Sequence, residues 1–151
     1  MAQTAGVLGR KEDEKRYSDL AAKVKEVFLA KYYDAENHCY GTQTLTSFCA
    51  ELGLYPEGEK AAMADWCARD IVSHDYHVTC GHLGLRYIYK FMSEFGYYEV
   101  LDKTLNSRTY PSFGAQIEMG ATTLWESFTL STHRQSLNHP FKGAFSLWLY
   151  E

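Results

Sequence analysis

The residue whose type and setting best suit chemistry is Glu126, in the run Gly120-Ala121-Thr122-Thr123-Leu124-Trp125-Glu126-Ser127-Phe128. The pattern predicts a short helix beginning at Thr122 or Thr123 and running through Phe128. Two readings of Glu126 follow. In the first, Thr123-Leu124-Trp125-Glu126 is a capping box, with Thr123 as N-cap and Glu126 reaching back to it. In the second, the positive end of the helix keeps Glu126 ionised beside Trp125. An ionised carboxylate is what a general base acting on water requires.

The densest cluster of metal-ligand types is His74, His77, Cys80 and His82. Zinc could use three of them. The spacing matches no two-pair zinc pattern, and the segment reads as a loop running into a helix, so no metal is expected. The other cysteines are Cys39, Cys49 and Cys67, and no two of the four form C-x-x-C. Cys49 and Cys67 fall on apolar helix faces and read as small buried hydrophobes. A disulfide framework is not expected in a chain with this much apolar core.

These residues need a scaffold. The chain has 151 residues, 46% hydrophobic and 23% charged, which suits one globular domain. No apolar run approaches the ~20 residues of a membrane-spanning helix. The first residues, Met1 to Lys15, hold no apolar stretch of the kind a signal peptide carries. The net charge is −4, from 15 basic and 19 acidic residues. Nucleic-acid binding is disfavoured, because it draws on a basic surplus. Aromatic residues make up 15%, with 12 Tyr, 8 Phe and 3 Trp. That surplus suits either core packing or a sugar-binding cleft, where ring faces stack on C–H surfaces.

Period-3.6 patterning dominates. It predicts helices over Glu12–Lys31, Thr42–Leu52, from Pro56 to Val72, from Gly81 to Phe95 and from Tyr97 to Leu105. Gly53 and Gly96 stop two of these. Tyr32 to Tyr40 reads as a tight turn, and Asn106 to Ala121 as a long irregular stretch. After the Thr123–Phe128 helix, Thr129 to His139 reads as a loop, and Pro140 opens a last helix reaching Glu151. The fold class is all-α, built of helical hairpins. Alternate helices are approached through YGTQT, HVTCG, GATTLWE and NHP, while the others have plain charged starts. Functional residues concentrate on such loops, so these four are expected to open at one rim.

GATTLWESF, followed by SLNHPFKGAFSLWLY, resembles the C-terminal stretch of the catalytic domain of bacterial α-L-rhamnosidases. YGTQT with LTSFCAELGLYPE, DYHVTCGHLGLRY and TYPSFGAQIEMGATT fit the same family in order. The resemblance runs from Lys11 to Tyr150. It implies part of an α/α toroid of six hairpins, and an inverting glycoside hydrolase that removes terminal α-L-rhamnose. It places the general base on Glu126 and a sugar-contacting histidine on His139, with Trp125 in the aromatic wall of the sugar site. No metal or organic cofactor is implied, since two carboxyl groups suffice for glycosidic hydrolysis. The implied partner is a rhamnose-containing glycoside.

Departures from the family pattern are equally specific. The general acid belongs to an acidic, Arg-containing motif upstream of GATT, and no segment here matches it. Glu118 belongs to the run leading into GATT and is not assigned as the acid. Cys80 stands where the family more often has Thr, and the segment after Phe128 departs from the usual acidic loop. A closed ring of six hairpins needs at least ~200 residues. Residues 1–151 are therefore read as one partial domain, truncated at both ends, whose isolated chain lacks hydrolytic power. Tyr17 and Val24 on the first helix, and Phe141, Phe145 and Trp148 on the last, are expected to leave apolar faces that drive self-association. Two other readings remain open: a different six-hairpin carbohydrate enzyme, and a non-catalytic carbohydrate-binding or interaction remnant.

Overall fold

The computed structural model describes residues 1–128 and 136–150, apart from the side chain of Trp148. Most of the expected Thr129–His139 loop, Glu151 and the Trp148 side chain lie outside the described residues. The fold is all-α: α1 Ala2–Val7, α2 Lys11–Tyr32, α3 Gln43–Glu51, α4 Lys60–Ser73, α5 His82–Ser93, α6 Tyr98–Asn106, α7 Phe113–Glu118, then a 3-10 helix Pro140–Tyr150. Among the described residues the only bridge of β type is the isolated pair Asp34 and Cys39. No described helix is long and apolar enough to cross a membrane. The chain divides into two compact units, Met1–Tyr33 and Asp34–Glu151.

The first unit pairs α1 with α2. The periodicity did not reveal α1, which is only six residues long. Glu12, Asp13 and Glu14 in the first turn of α2 and Lys31 in its last complement the helix dipole. No residue of α2 is buried. Val24 is 58% exposed and Val27 66%. An apolar stripe left in water favours association. Light scattering is expected to show a mass above the monomer that rises with concentration, and Val24→Glu with Val27→Glu to lower it. Of the other residues expected on apolar faces, Phe141 is exposed. Phe145 instead packs on Phe113, ring centroids 4.8 Å apart, and on Tyr89.

In the second unit α5 packs against α3 and against the 3-10 helix, and α3 against α4. Met63, Cys67 and Ile71 of α4 and Leu85, Ile88, Phe91 and Met92 of α5 are buried between these elements. Local chemistry sets the ends. Thr42 caps α3 by accepting from Leu45 N–H at 3.1 Å. Gly53, at φ +69°, ends it, with Gly53 N–H on Ala50 O at 3.3 Å and Leu54 N–H on Cys49 O at 2.9 Å. The next helix starts at Lys60 and not near Pro56. Gly58 at φ +84° lies between them in a turn closed by Glu59 N–H on Pro56 O. The stretch read as irregular contains α7, because Ser112 caps it by accepting from Ala115 N–H at 3.0 Å.

The expected helix over Thr123–Phe128 is absent: residues 121–128 run as bends and extended chain. Their polar groups pair across the fold and not along a helix. Glu126 N–H donates to Ser136 O at 2.9 Å, Leu124 O accepts from His139 N–H at 2.7 Å, and Thr123 Oγ1 donates to Leu137 O. The capping box and the helix-dipole setting of Glu126 are both corrected by this pairing.

All four cysteines are free and buried. Burial pushes every thiol up, Cys49 to about 11 and Cys80 to about 12. Above pH 9 the unfolded chain sheds thiol protons that the folded chain retains, so stability falls as pH rises. Lys142 acts in the opposite sense. Burial lowers it to about 8, so stability rises while pH climbs from there to its ordinary 10.5. Each group contributes at most about 1.4 kcal/mol per pH unit, so four thiols outweigh one ammonium. The Tm is expected to fall by roughly 5–10 °C between pH 9 and 10.5. An unchanged Tm would contradict the burial of these thiols.

Candidate active site

Four loops converge in the second unit. Gln43, at the start of α3 in YGTQT, is fully buried. Its Nε2 donates to Asp70 Oδ2 at 2.8 Å, and its Oε1 accepts from Thr79 N–H at 2.9 Å. A buried amide that uses both ends fixes the HVTCG backbone in front of α5. GATTLWE pairs with the segment 136–139 through the hydrogen bonds described above. Gln116 of α7, also buried, donates to Ser127 O at 2.6 Å and holds the end of that run from the other side.

Between these loops lies a cleft of about 250 Å³, lined by Val78, Thr79, Cys80, Tyr110, Glu126 and Lys142 among others. Glu126 is the one carboxylate among its described lining residues. Its Oε2 accepts from Ser136 N–H at 2.9 Å. Its Oε1 takes no hydrogen bond from any described residue. One oxygen is thus anchored by backbone, and the other is available to a water. A larger depression of about 600 Å³ lies beside α7, lined by Leu105, Phe113, Ile117, Leu124 and Phe145 with Gln116 and two threonines. None of its described lining residues is titratable.

His139 and Trp125 stand close to Glu126 in the paired segments but do not line its cleft. The His139 ring lies 5.1 Å from that of His82 and 5.5 Å from that of Phe141, centroid to centroid. Its Nδ1 is buried and has no hydrogen-bond partner among the described residues. Trp125 is 7% exposed, so its ring is buried and not presented as an open face. Glu118 is exposed and paired with Arg108, away from the cleft. The four metal-ligand types His74, His77, Cys80 and His82 stand in separate settings. His74 Nδ1 lies 2.7 Å from Asp70 O, His77 Nε2 lies 3.0 Å from Thr109 O, and Cys80 is buried. No group of three ligand side chains converges among the described residues.

Reading the sequence did not single out Gln43, Gln116 or Lys142. For the two glutamines a signal existed: each is a long amide inside an otherwise apolar or small-residue run, YGTQT and FGAQIE.

The sequence matches, over residues 1–151, the family model described as the bacterial alpha-L-rhamnosidase 6 hairpin glycosidase domain. The chain belongs to this family. An alpha-L-rhamnosidase of Formosa agariphila is 31% identical over 99% of the chain, and one of Streptomyces avermitilis 28% identical over 99%. The chain spans 17% and 15% of the length of these two relatives. Among solved structures, the alpha-L-rhamnosidase from Dictyoglumus thermophilum superposes with a TM-score of 0.85 at 38% identity, covering 99% of this chain and 17% of that one. The Streptomyces avermitilis enzyme complexed with L-rhamnose gives a TM-score of 0.84 at 28% identity, covering 99% of this chain and 15% of that one. A six-hairpin glycosidase domain of the rhamnosidase family therefore accounts for the helical hairpins of the second unit, and the family is one of glycoside hydrolases.

Proposed function

We propose that this rhamnosidase-family chain carries the general-base side of an inverting α-L-rhamnosidase that removes terminal α-L-rhamnose. The observation that carries the reading is Glu126: a carboxylate in a cleft, anchored through Oε2 and open at Oε1. The match to rhamnosidases, one of them solved with L-rhamnose, supports the substrate.

In the reaction Glu126 Oε1 accepts a proton from a water lying between it and the anomeric carbon. The oxygen of that water bonds to the carbon as the bond to the aglycone breaks. A carboxylic acid on the opposite side protonates the departing oxygen. Attack opposite the leaving group inverts the anomeric centre. The backbone N–H of Ser136 keeps the carboxylate pointed before the proton moves. His139 acts beside this cleft rather than in its lining: its N–H donates to Leu124 O and ties its segment to the run that carries Trp125 and Glu126.

The family's acid motif has no counterpart in this sequence, so the 151-residue chain alone is expected to leave a natural rhamnosyl disaccharide at background rate. A general acid typically contributes ~10²–10⁴-fold, most of all with an unactivated leaving group. In an enzyme that carries this segment, NMR of the first sugar released should show β-L-rhamnose. Initial release of α-L-rhamnose would contradict an inverting base at Glu126.

A further inference from the structure

Among the described residues, Lys142 is a buried cation without an anion. It lies in the 3-10 helix, is 1% exposed, and lines the same cleft as Glu126. Among the described residues its Nζ has neither a hydrogen-bond partner nor an ion pair. It sits 3.4 Å from the centroid of the Phe128 ring and 5.9 Å from that of Phe113. The segment 129–135 reads Thr-Leu-Ser-Thr-His-Arg-Gln and contains no carboxylate. Glu126 shares the cleft but directs Oε2 to Ser136 N–H, and forms no ion pair with Lys142.

Removing an ammonium from water is costly, and an aromatic face offsets only part of that cost. Packing alone would favour an apolar side chain here. Burial lowers the ammonium to about 8, which still leaves it mainly protonated at neutral pH. A neutral sugar hydroxyl would satisfy one donor of Nζ and leave its charge unmatched. An anion entering the cleft would match both.

We infer that Lys142 is a specificity residue that selects glycans carrying an anionic group, a carboxylate or a sulfate ester, next to the scissile rhamnose. This rests on the rhamnoside reading of the Glu126 cleft. The full 151-residue chain would be titrated by calorimetry with three probes: methyl α-L-rhamnopyranoside, a sulfated methyl α-L-rhamnopyranoside, and an α-L-rhamnosyl uronate disaccharide. At least one anionic probe is expected to bind ten-fold or more tightly than the neutral one. Which of the two does so identifies the anion. Lys142→Met, close in size and suited to burial, is expected to erase that preference.

Equal affinity of the wild-type chain for all three probes overturns the inference, needs no variant, and leaves the rhamnoside reading standing. A preference retained in Lys142→Met also overturns it. Binding of none of the three overturns the rhamnoside reading, and the role of Lys142 with it.

Discussion

Glu126→Gln, in an enzyme that carries this segment, is expected to lower kcat by about 10²–10⁴-fold while leaving rhamnose affinity within about ten-fold. The amide matches the carboxylate in shape but cannot take a proton from water. Its carbonyl oxygen can still accept from Ser136 N–H, so the tie between the 121–128 run and the segment 136–139 survives. The Tm should therefore move by no more than a few degrees. A purely structural Glu126 makes the opposite forecast: a lowered Tm with turnover intact. Kinetics and melting on the same variant separate the two.

Gly114→Ala is expected to destabilise the fold by about 2–3 kcal/mol, lowering Tm by roughly 5–10 °C. An added Cβ would lie 2.3 Å from Ser107 O and 3.1 Å from its carbonyl carbon. A backbone carbonyl cannot rotate out of the way as a side chain can. This carbonyl is also committed, since it accepts from Ser112 Oγ at 2.7 Å, the same hydroxyl that caps α7. Displacing it would loosen the turn that carries Tyr110 and Pro111 to the cleft. Gly6→Ala is the control. Its new Cβ would meet the end of the Glu14 side chain at 2.7 Å, and that exposed, flexible group can swing aside at little cost. Thermal melts of both variants check the contrast.

What the sequence made legible was local. The long apolar stripes became α2 to α6, and Gly53 and Gly96 fall where left-handed backbone ends α3 and α5. The Asp34 turn also reads directly. Its carboxylate accepts from the N–H groups of Glu36 and Asn37, both at 3.0 Å, and closes the loop before Tyr40. What was missed depends on partners distant in sequence. Thr123-Leu124-Trp125-Glu126 has every mark of a capping box, yet its donors and acceptors are claimed by Ser136, Leu137 and His139. A pattern that compares only near neighbours cannot register that competition. The Pro56 start failed for a related reason. Proline suits a first helical turn, but Gly58 two residues later takes a φ no helix contains.

The site shows the same division. The four loop motifs were visible as unusual approaches to helices, and the structure brings them together: YGTQT reaches HVTCG through Gln43, GATTLWE lies along NHP, and the cleft joins HVTCG to Glu126. Glu126 could be singled out because its motif resembles a known one. Lys142 could not, because a lysine in a mostly apolar run is usually a surface residue, and only the fold shows it buried against Phe128.

The most direct measurement is a transplant. Residues 11–150 would replace the corresponding stretch of the Dictyoglumus thermophilum alpha-L-rhamnosidase, to which this chain is 38% identical. Hydrolysis of an aryl α-L-rhamnoside by the soluble chimera would then be compared with that of its Glu126→Gln form. The expected result is turnover in the chimera that falls at least a hundred-fold on substitution, with the Tm nearly unchanged. A chimera that hydrolyses the rhamnoside equally well with Gln at this position would contradict the assignment of Glu126 as the general base.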